Sequence, residues 1–225
     1  MENSTGLRAK TRTLMQRADG IPKMIDVDGL ILAAGRSKRM VTGNKVQALL
    51  AGKTLLGQVV ERLAPQVGSL FINGDPALCA EAIGNQSYPV IEDKLENFQG
   101  PLTGLYSALV SDQLSDARYL MLTPCDGPFV PDNLVAELYQ LIVSKRADIA
   151  CIRYQGAAQP TFTLWNKSVF NAVEKALLVD KNGGFKPLLQ TLDTVYLDWP
   201  EQPVNPFFNI NSREDLALAE AVVCP

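Results

Sequence analysis

The sequence predicts an α/β protein with three layers, in which helices cover both faces of a doubly wound, mostly parallel sheet. Over residues 24–150, apolar and β-branched runs of strand length alternate with amphipathic runs of helix length. Neighbouring parallel strands need a crossover, which is usually a helix, so this alternation favours a parallel sheet. The predicted strands also end in small or turn-forming residues, as strands do before a crossover loop.

The predicted elements follow one another at short intervals. The first strand, 27–32, is an apolar run that ends in small residues. Thr54 caps a helix that ends at Leu63, since apolar side chains recur between them at helical spacing. Further strands are predicted at 70–72, 90–91 and 119–123. A loop is predicted over 92–104, followed by a helix that ends at about Ser111. Another helix has Pro131 in its first turn and ends near Lys145.

The rest of the chain is less regular. Strands are predicted at 148–152 and 161–164 and a helix at 167–178. Ser212 and Asp215 have the spacing of a capping box, which predicts a final helix after them. We expect a single domain over residues 24–225, preceded by a flexible extension over residues 1–23 that lacks the apolar stretch of a secretory signal.

Composition excludes several kinds of chemistry. Histidine is absent, which excludes Ser-His-Asp triads, Cys-His dyads, His-ligated zinc and imidazole bases. The four cysteines are far apart and form no C-x-x-C pair, so we predict neither a zinc site nor a disulfide framework and expect a reducing cytoplasm. A net charge of −3 argues against broad nucleic-acid binding, and no run of about 18 apolar residues could span a membrane. We therefore expect a small-molecule partner.

The first candidate site follows the strand 27–32. It consists of small residues and then cations: Leu32, Ala33, Ala34, Gly35, Arg36, Lys38, Arg39 and Lys45. Small residues let the backbone approach phosphate oxygens, and Arg39 and Lys45 can neutralise a triphosphate. The alternative is a tight turn followed by a solvated basic edge.

Other candidates also follow predicted strands, where ligands of open α/β sheets bind. Asp126 follows the strand 119–123 and is suited to holding Mg²⁺, although Asp beside Gly and Pro also closes ordinary turns. Asn73 and Asp93 follow the strands 70–72 and 90–91. A carboxylate at Asp93 suits the two adjacent donors of guanine, N1 and N2, better than the donor and acceptor of cytosine.

Asn209 and Asn211 are the last candidates. They are two residues apart, so they are expected on one face of an extended segment. The alternative for Asn211 is that it forms the turn and cap of the final helix.

Together these motifs resemble the molybdenum cofactor guanylyltransferase family, within the Rossmann-like nucleotidyltransferases. The resemblance runs from residue 27 to the final helix. The residues that carry it are Leu32, Ala33, Gly35, Arg39, Met40, Lys45, Asn73, Glu92, Asp93, Gly100, Pro101, Leu102, Gly104, Pro124, Cys125, Asp126, Pro128, Pro160, Thr161, Asn209 and Asn211. The motifs Gly-Pro-Leu-x-Gly and Pro-Cys-Asp-x-Pro are the more specific ones.

The resemblance implies transfer of GMP from GTP to molybdopterin that carries molybdenum, with Mg²⁺ as cofactor and pyrophosphate as product. It implies a nucleotide-binding part over 24–150 and an acceptor-side part over 151–225, a cytoplasmic location, and transient contacts with other proteins of molybdenum cofactor biosynthesis or with acceptor apo-enzymes. The GTP-binding residues it implies are Leu32, Ala33, Ala34, Gly35, Lys45, Asn73, Asp93, Gly100, Gly104 and Asp126. The catalytic residues it implies are Arg39, Lys45 and Asp126, with Asp126 on the metal and Asn209 and Asn211 on the acceptor side.

Three departures leave alternatives open. Ala34 stands where the guanylyltransferases have glycine, and a Leu-Ala-Ala-Gly turn is more typical of cytidylyltransferases. Val41 replaces a glycine, and the segment 180–184 lacks an arginine that the resemblance leads us to expect. The alternatives are a cytidylyltransferase that acts on molybdopterin or another phosphorylated acceptor, and a relative that binds nucleotide without turnover.

Overall fold

The computed structural model describes residues 15–18, 21–34, 45–84, 86–95 and 100–223, with the backbone alone described for 15–18 and 21–25. The strands are β1 (Met15–Ala18), β2 (Ile21–Leu32), β3 (Leu49–Leu50), β4 (Lys53–Thr54), β5 (Val67–Asn73), β6 (Val90–Ile91), β7 (Tyr119–Pro124), β8 (Ile149–Tyr154), β9 (Ala157–Asn166) and β10 (Thr194–Trp199). The α-helices are α1 (Leu55–Leu63), α2 (Pro76–Ile83), α3 (Pro101–Leu109), α4 (Leu134–Lys145), α5 (Phe170–Leu178), α6 (Lys186–Thr191) and α7 (Arg213–Val223). Short 3₁₀ turns lie at Lys45–Gln47, Ala64–Gln66 and Lys167–Val169.

The main sheet has the strand order β10-β8-β9-β7-β2-β5-β6. Neighbouring strands are parallel, except that β9 runs antiparallel between β7 and β8. Strand β1 pairs antiparallel with the start of β2, and β3 and β4 form a separate small hairpin. Leu32 pairs with both Asn73 and Pro124, and Asn73 pairs with Ile91, so β2, β5, β6 and β7 end at the same edge.

Two apolar cores lie on opposite faces of this sheet. Helices α1, α2 and α4 cover one core, and α3, α5 and α6 cover the other. Successive residues of β7 alternate between them, because side chains of a strand point to opposite faces: Met121 packs into the first core, and Leu120 and Leu122 into the second. The prediction of a three-layer, mostly parallel α/β fold is confirmed.

Asp28 is fully buried in the middle of the apolar strand β2. Its carboxylate accepts from Lys167 Nζ at 2.6 Å and from Ser115 Oγ at 2.7 Å. A buried carboxylate needs such partners, so this cluster ties β2 to the loop at Ser115 and to the 3₁₀ turn that begins at Lys167.

Several predicted boundaries differ from the structure. Helix α3 begins at Pro101, inside the stretch 92–104 predicted as a loop, because proline suits the first helical turn. Helix α4 begins at Leu134 instead of including Pro131, whose carbonyl accepts from the Leu134 N–H and from the Gln66 side chain. Residues 15–18 and 21–23 lie in β1 and β2, which differs there from the flexible extension predicted for residues 1–23.

The predicted caps are confirmed at two helices. Thr54 Oγ1 accepts from the Gly57 N–H at 3.1 Å and so caps α1. Asp215 N donates to Ser212 Oγ, and Ser212 N donates to Asp215 Oδ2, which forms the capping box of α7. In the described part of the chain, none of the helices is both long and apolar enough to cross a membrane.

Candidate active site

The site lies at the edge where β2, β5, β6 and β7 end. Backbone hydrogen bonds continue the pairing beyond the strands: Ala33 N donates to Asn73 O at 2.7 Å, and Gly74 N donates to Ile91 O at 3.1 Å. On the other side, Cys125 N donates to Leu32 O at 3.1 Å. This register lines up the residues that follow four strands, so the predicted nucleotide-binding residues Ala33, Asn73, Asp93 and Asp126 meet along one edge.

Lys45, Asp126 and Asn211 form the first group of side chains at this edge. Lys45 Nζ donates to Asp126 Oδ2 at 2.5 Å and also to Asn211 Oδ1. The Lys45 and Asp126 side chains are 18% and 11% exposed, so this ion pair is largely shielded from water. Three distant parts of the chain therefore meet around one ammonium group.

Asn209 lies beside the same group. The backbone N–H of Ile210 donates to Asp126 O at 2.8 Å, which holds the segment 209–211 along Asp126. Asn209 Oδ1 is buried without a hydrogen-bond partner among the described residues. A Cβ added at Gly127 would lie 3.3 Å from that oxygen and 2.6 Å from the Phe162 ring, so glycine permits this close approach.

Asn73 and Asp93 form the second group. Asn73 is 2% exposed, and its Nδ2 donates to Ile91 O at 3.0 Å and to Asp93 Oδ1 at 2.9 Å. Asp93 itself is exposed, and the next residue, Lys94, is held by a backbone N–H that donates to buried Ser107 Oγ at 2.9 Å. The Asp93 carboxylate is thus fixed in orientation while it faces solvent.

Two glycines bring helix α3 close to this group. A Cβ at Gly104 would lie 2.2 Å from Asn73 Oδ1 and 2.9 Å from Leu32 Cδ2, so the helix packs directly on the ends of β5 and β2. Gly100 has φ +152°, and a Cβ there would lie 2.3 Å from Gly183 O. That carbonyl accepts from the Leu102 N–H at 3.0 Å, which joins the start of α3 to the segment 180–184.

The structure brings together most of the predicted site residues. Leu32 and Ala33 are packed at the end of β2, and Ala34 is exposed beside them. Gly35, Arg39, Met40 and Val41 lie outside the described residues, so their roles stay predictions. Sequence reasoning missed Ser107 and Gly183. The Gly183-Gly184 pair is a turn signal that could have indicated a close backbone approach, whereas Ser107 carries no such signal.

A comparison with known families identifies the family to which the chain belongs. The sequence profile of the MobA-like NTP transferase domain matches residues 29–195, well over half of the chain. The chain belongs to the MobA-like NTP transferase family. The matched region contains Lys45, Asn73, Asp93 and Asp126, and it ends before Asn209.

Two individual proteins similar to this MobA-like chain carry names from molybdenum cofactor biosynthesis. The molybdenum cofactor guanylyltransferase of Rhodopseudomonas palustris (strain HaA2) is 37% identical over 197 residues, which cover 86% of this chain and 90% of the relative. Molybdopterin-guanine dinucleotide biosynthesis protein A from Archaeoglobus fulgidus superposes with a TM-score of 0.72 at 22% identity, over 87% of this chain and 98% of that one.

A second solved structure broadens the comparison. The 4-diphosphocytidyl-2C-methyl-D-erythritol synthase of Anaerococcus prevotii DSM 20548 superposes with a TM-score of 0.67 at 10% identity, over 88% of this MobA-like chain and 96% of that one. At such identities the two superpositions show a shared fold. Because one name contains guanine and the other cytidyl, the shared fold does not identify the base.

Cys125, which precedes Asp126 in the sequence of this MobA-like chain, is buried, and so are Cys79 and Cys151. Burial raises the pKa of the Cys125 thiol well above its usual range, and it raises that of Cys79 to about 11 and that of Cys151 to about 12. A thiol with a raised pKa stays protonated at neutral pH and is a poor nucleophile. We expect these three thiols to resist Ellman's reagent in the native protein and to react in guanidinium chloride, with peptide mapping by mass spectrometry to assign them. Rapid native labelling of Cys125 would contradict this.

Proposed function

We propose that the chain transfers GMP from GTP to molybdopterin that carries molybdenum and releases pyrophosphate. The observation that carries the proposal is the pairing of the Lys45 and Asp126 charges at the same sheet edge as the exposed Asp93 carboxylate. One group is suited to a triphosphate and the other to a purine base. The 37% identity to a named molybdenum cofactor guanylyltransferase supports the choice of substrates.

The reaction that we propose is a displacement at the α-phosphorus of GTP. A phosphate oxygen of the acceptor forms a bond to this phosphorus, while the bond to the oxygen that bridges to the β-phosphate breaks and its electron pair leaves with pyrophosphate. Such transfers depend mainly on positioning and charge neutralisation, so the absence of histidine from the sequence is no obstacle. Lys45 supplies positive charge to the phosphates, and the backbone after Leu32 supplies close contact.

The oxygen atoms of Asp126 and Asn211 are suitable ligands for Mg²⁺. The Asp126 carboxylate and the Asn211 amide oxygen are hard ligands, and the ammonium of Lys45 already lies against both as a cation would. Proteins commonly hold Mg²⁺ through one or two carboxylates together with substrate phosphates, and Asp126 offers such a carboxylate. When bound, Mg²⁺ would neutralise charge on the phosphate oxygens.

The acceptor side of the site includes Asn209 and Asn211 in this proposal, because both lie beside Asp126, opposite the β5 and β6 side where Asp93 lies. We also propose that the chain works in the cytoplasm and passes its product to acceptor apo-enzymes or to other proteins of molybdenum cofactor biosynthesis.

An assay of both nucleotides tests the proposed function. The protein is incubated with Mg²⁺, a molybdopterin acceptor and either GTP or CTP, and pyrophosphate release is followed. Turnover with GTP is the expected result. CTP is included because Ala34 resembles the cytidylyltransferases at this position. Turnover with CTP alone would identify a cytidylyltransferase, and turnover with neither nucleotide would contradict the proposal that the protein is an enzyme.

Asp93→Asn is expected to weaken GTP binding by about ten- to a hundredfold and to leave CTP binding unchanged, because the amide presents a donor to the guanine N1–H and N2–H₂ groups. Isothermal titration with both nucleotides measures this. Glu92→Gln is the matched control, since it removes the neighbouring exposed carboxylate without touching Asn73. An equal loss of GTP and CTP binding in Asp93→Asn would contradict base reading.

A further inference from the structure

The Lys45 ammonium lies in a position that is lined by oxygen atoms. It contacts Asp126 Oδ2 and Asn211 Oδ1, and the unpartnered oxygen of Asn209 is buried beside Gly127, the residue after Asp126. Carboxylate and amide oxygens are also the ligands that a hard divalent cation takes. The lysine of the free protein thus occupies the place that suits a metal ion.

The charges of this position allow one cation at a time. Asp126 supplies the only negative charge in contact with Lys45 among the described ion pairs, so a divalent cation beside Asp126 would leave a net positive charge next to the ammonium. Like charges a few ångströms apart repel strongly where water is largely excluded, and the two side chains are 18% and 11% exposed. The ammonium must therefore move before a metal can bind.

The backbone of Lys45 is anchored, whereas its side chain can turn. Lys45–Gln47 is a 3₁₀ turn whose Val46 is 2% exposed and packs into the core under α1 and α2. A lysine has a flexible four-carbon stem, so its ammonium can leave Asp126 without movement of the turn. A triphosphate beside the end of β2 offers that ammonium several phosphate oxygens as new partners.

We propose that Lys45 and a divalent cation exclude each other at Asp126, so that the metal binds when a nucleotide triphosphate has drawn Lys45 away. Lysine acts as the resident counterion of Asp126 in the free protein and as a phosphate ligand in the complex. Metal and nucleotide then bind with positive coupling, and by linkage each raises the affinity of the other. This inference rests on the proposed function only in requiring that a triphosphate binds here.

Titration with Mn²⁺, followed by the electron paramagnetic resonance of the free ion, tests the exchange in the full chain without nucleotide. We expect Lys45→Met to bind Mn²⁺ at least tenfold more tightly than the wild type. Lys45→Arg keeps the positive charge, so its affinity for Mn²⁺ should equal that of the wild type. Lys53→Met, which removes an exposed lysine that pairs with Glu61, should also change nothing. Adding Asp126→Asn to Lys45→Met should abolish the gain.

Equal Mn²⁺ affinity of Lys45→Met and the wild type would overturn the proposal. Thermal melting shows whether each variant is folded. If Lys45→Met does not fold, the wild type decides. Tight binding of one Mn²⁺ per chain without nucleotide would overturn exclusion. Weak binding that GTP strengthens at least tenfold, after subtraction of the Mn²⁺ that GTP holds in a protein-free titration, would support it. None of these readouts needs an acceptor, so an absence of guanylyl transfer would count against the proposed function alone.

Discussion

Asp126→Asn is expected to lower guanylyl transfer by about a thousandfold or more while the protein stays folded. The substitution removes the carboxylate that pairs with Lys45 and that would hold a metal. In the proposed reaction, Lys45 and the metal neutralise the charge of the phosphates during the transfer. The fold should survive, because loss of a hydrogen bond to a charged group costs about 1–3 kcal/mol, against a total stability of about 5–15 kcal/mol.

Pyrophosphate release at saturating GTP measures this effect, and circular dichroism with thermal melting checks the fold. Asp132→Asn is the matched control: that side chain is 66% exposed and lies 4.0 Å from Arg62 Nη1, away from Lys45. It should retain wild-type turnover. Near-normal turnover in Asp126→Asn would remove Asp126 from the mechanism.

Gly104→Ala should destabilise the protein by about 2 kcal/mol or more and weaken GTP binding at least tenfold. In an exposed helix this change would stabilise by about 1 kcal/mol. Here the new Cβ would lie 2.2 Å from Asn73 Oδ1 and 2.8 Å from Asn73 Cγ. Overpacking costs about 1–3 kcal/mol, and the buried hydrogen bonds of Asn73 add a similar cost if they break. GTP binding should fall because Asn73 orients Asp93.

Urea denaturation and isothermal titration with GTP measure the two effects. Gly184→Ala is a suitable control, since the nearest atom to its added Cβ, Asn182 Oδ1, is 3.6 Å away, an ordinary contact. A Gly104→Ala protein as stable as the wild type, with unchanged GTP affinity, would show that α3 can shift away from Asn73.

The sequence predicted the positions of site residues better than their contacts. Asp126, Asn73 and Asp93 could be placed together because parallel strands end at one edge of a sheet. The contact between Lys45 and Asn211 could not be predicted, because Asn211 lies in a segment without regular structure whose path depends on tertiary packing. The contact of Lys167 with Asp28 also depends on tertiary packing, so a strand pattern could not assign it.

Strand direction was the main gap in the predicted fold. Apolar runs were found in β8 and β9, but hydropathy does not encode whether neighbours are parallel. The sequence signal for an antiparallel pair was the Gln155-Gly156 turn between the two strands. In the structure these residues have φ of 48° and 77°, as a two-residue hairpin turn of type I′ requires. Helix α2 was missing from the predicted elements, although Asp75 caps it and Pro76 begins it, which is a common order at a helix start.

The order of synthesis gives the contact of Lys45 with Asn211 a consequence for the growing chain. Lys45 and Asp126 leave the ribosome long before Asn211, which lies 166 residues after Lys45. A chain that stops before residue 209 lacks the third member of the group. Translation through Asn211 is therefore required before this oxygen-lined position can form, and a product that stops earlier lacks the Asn211 oxygen.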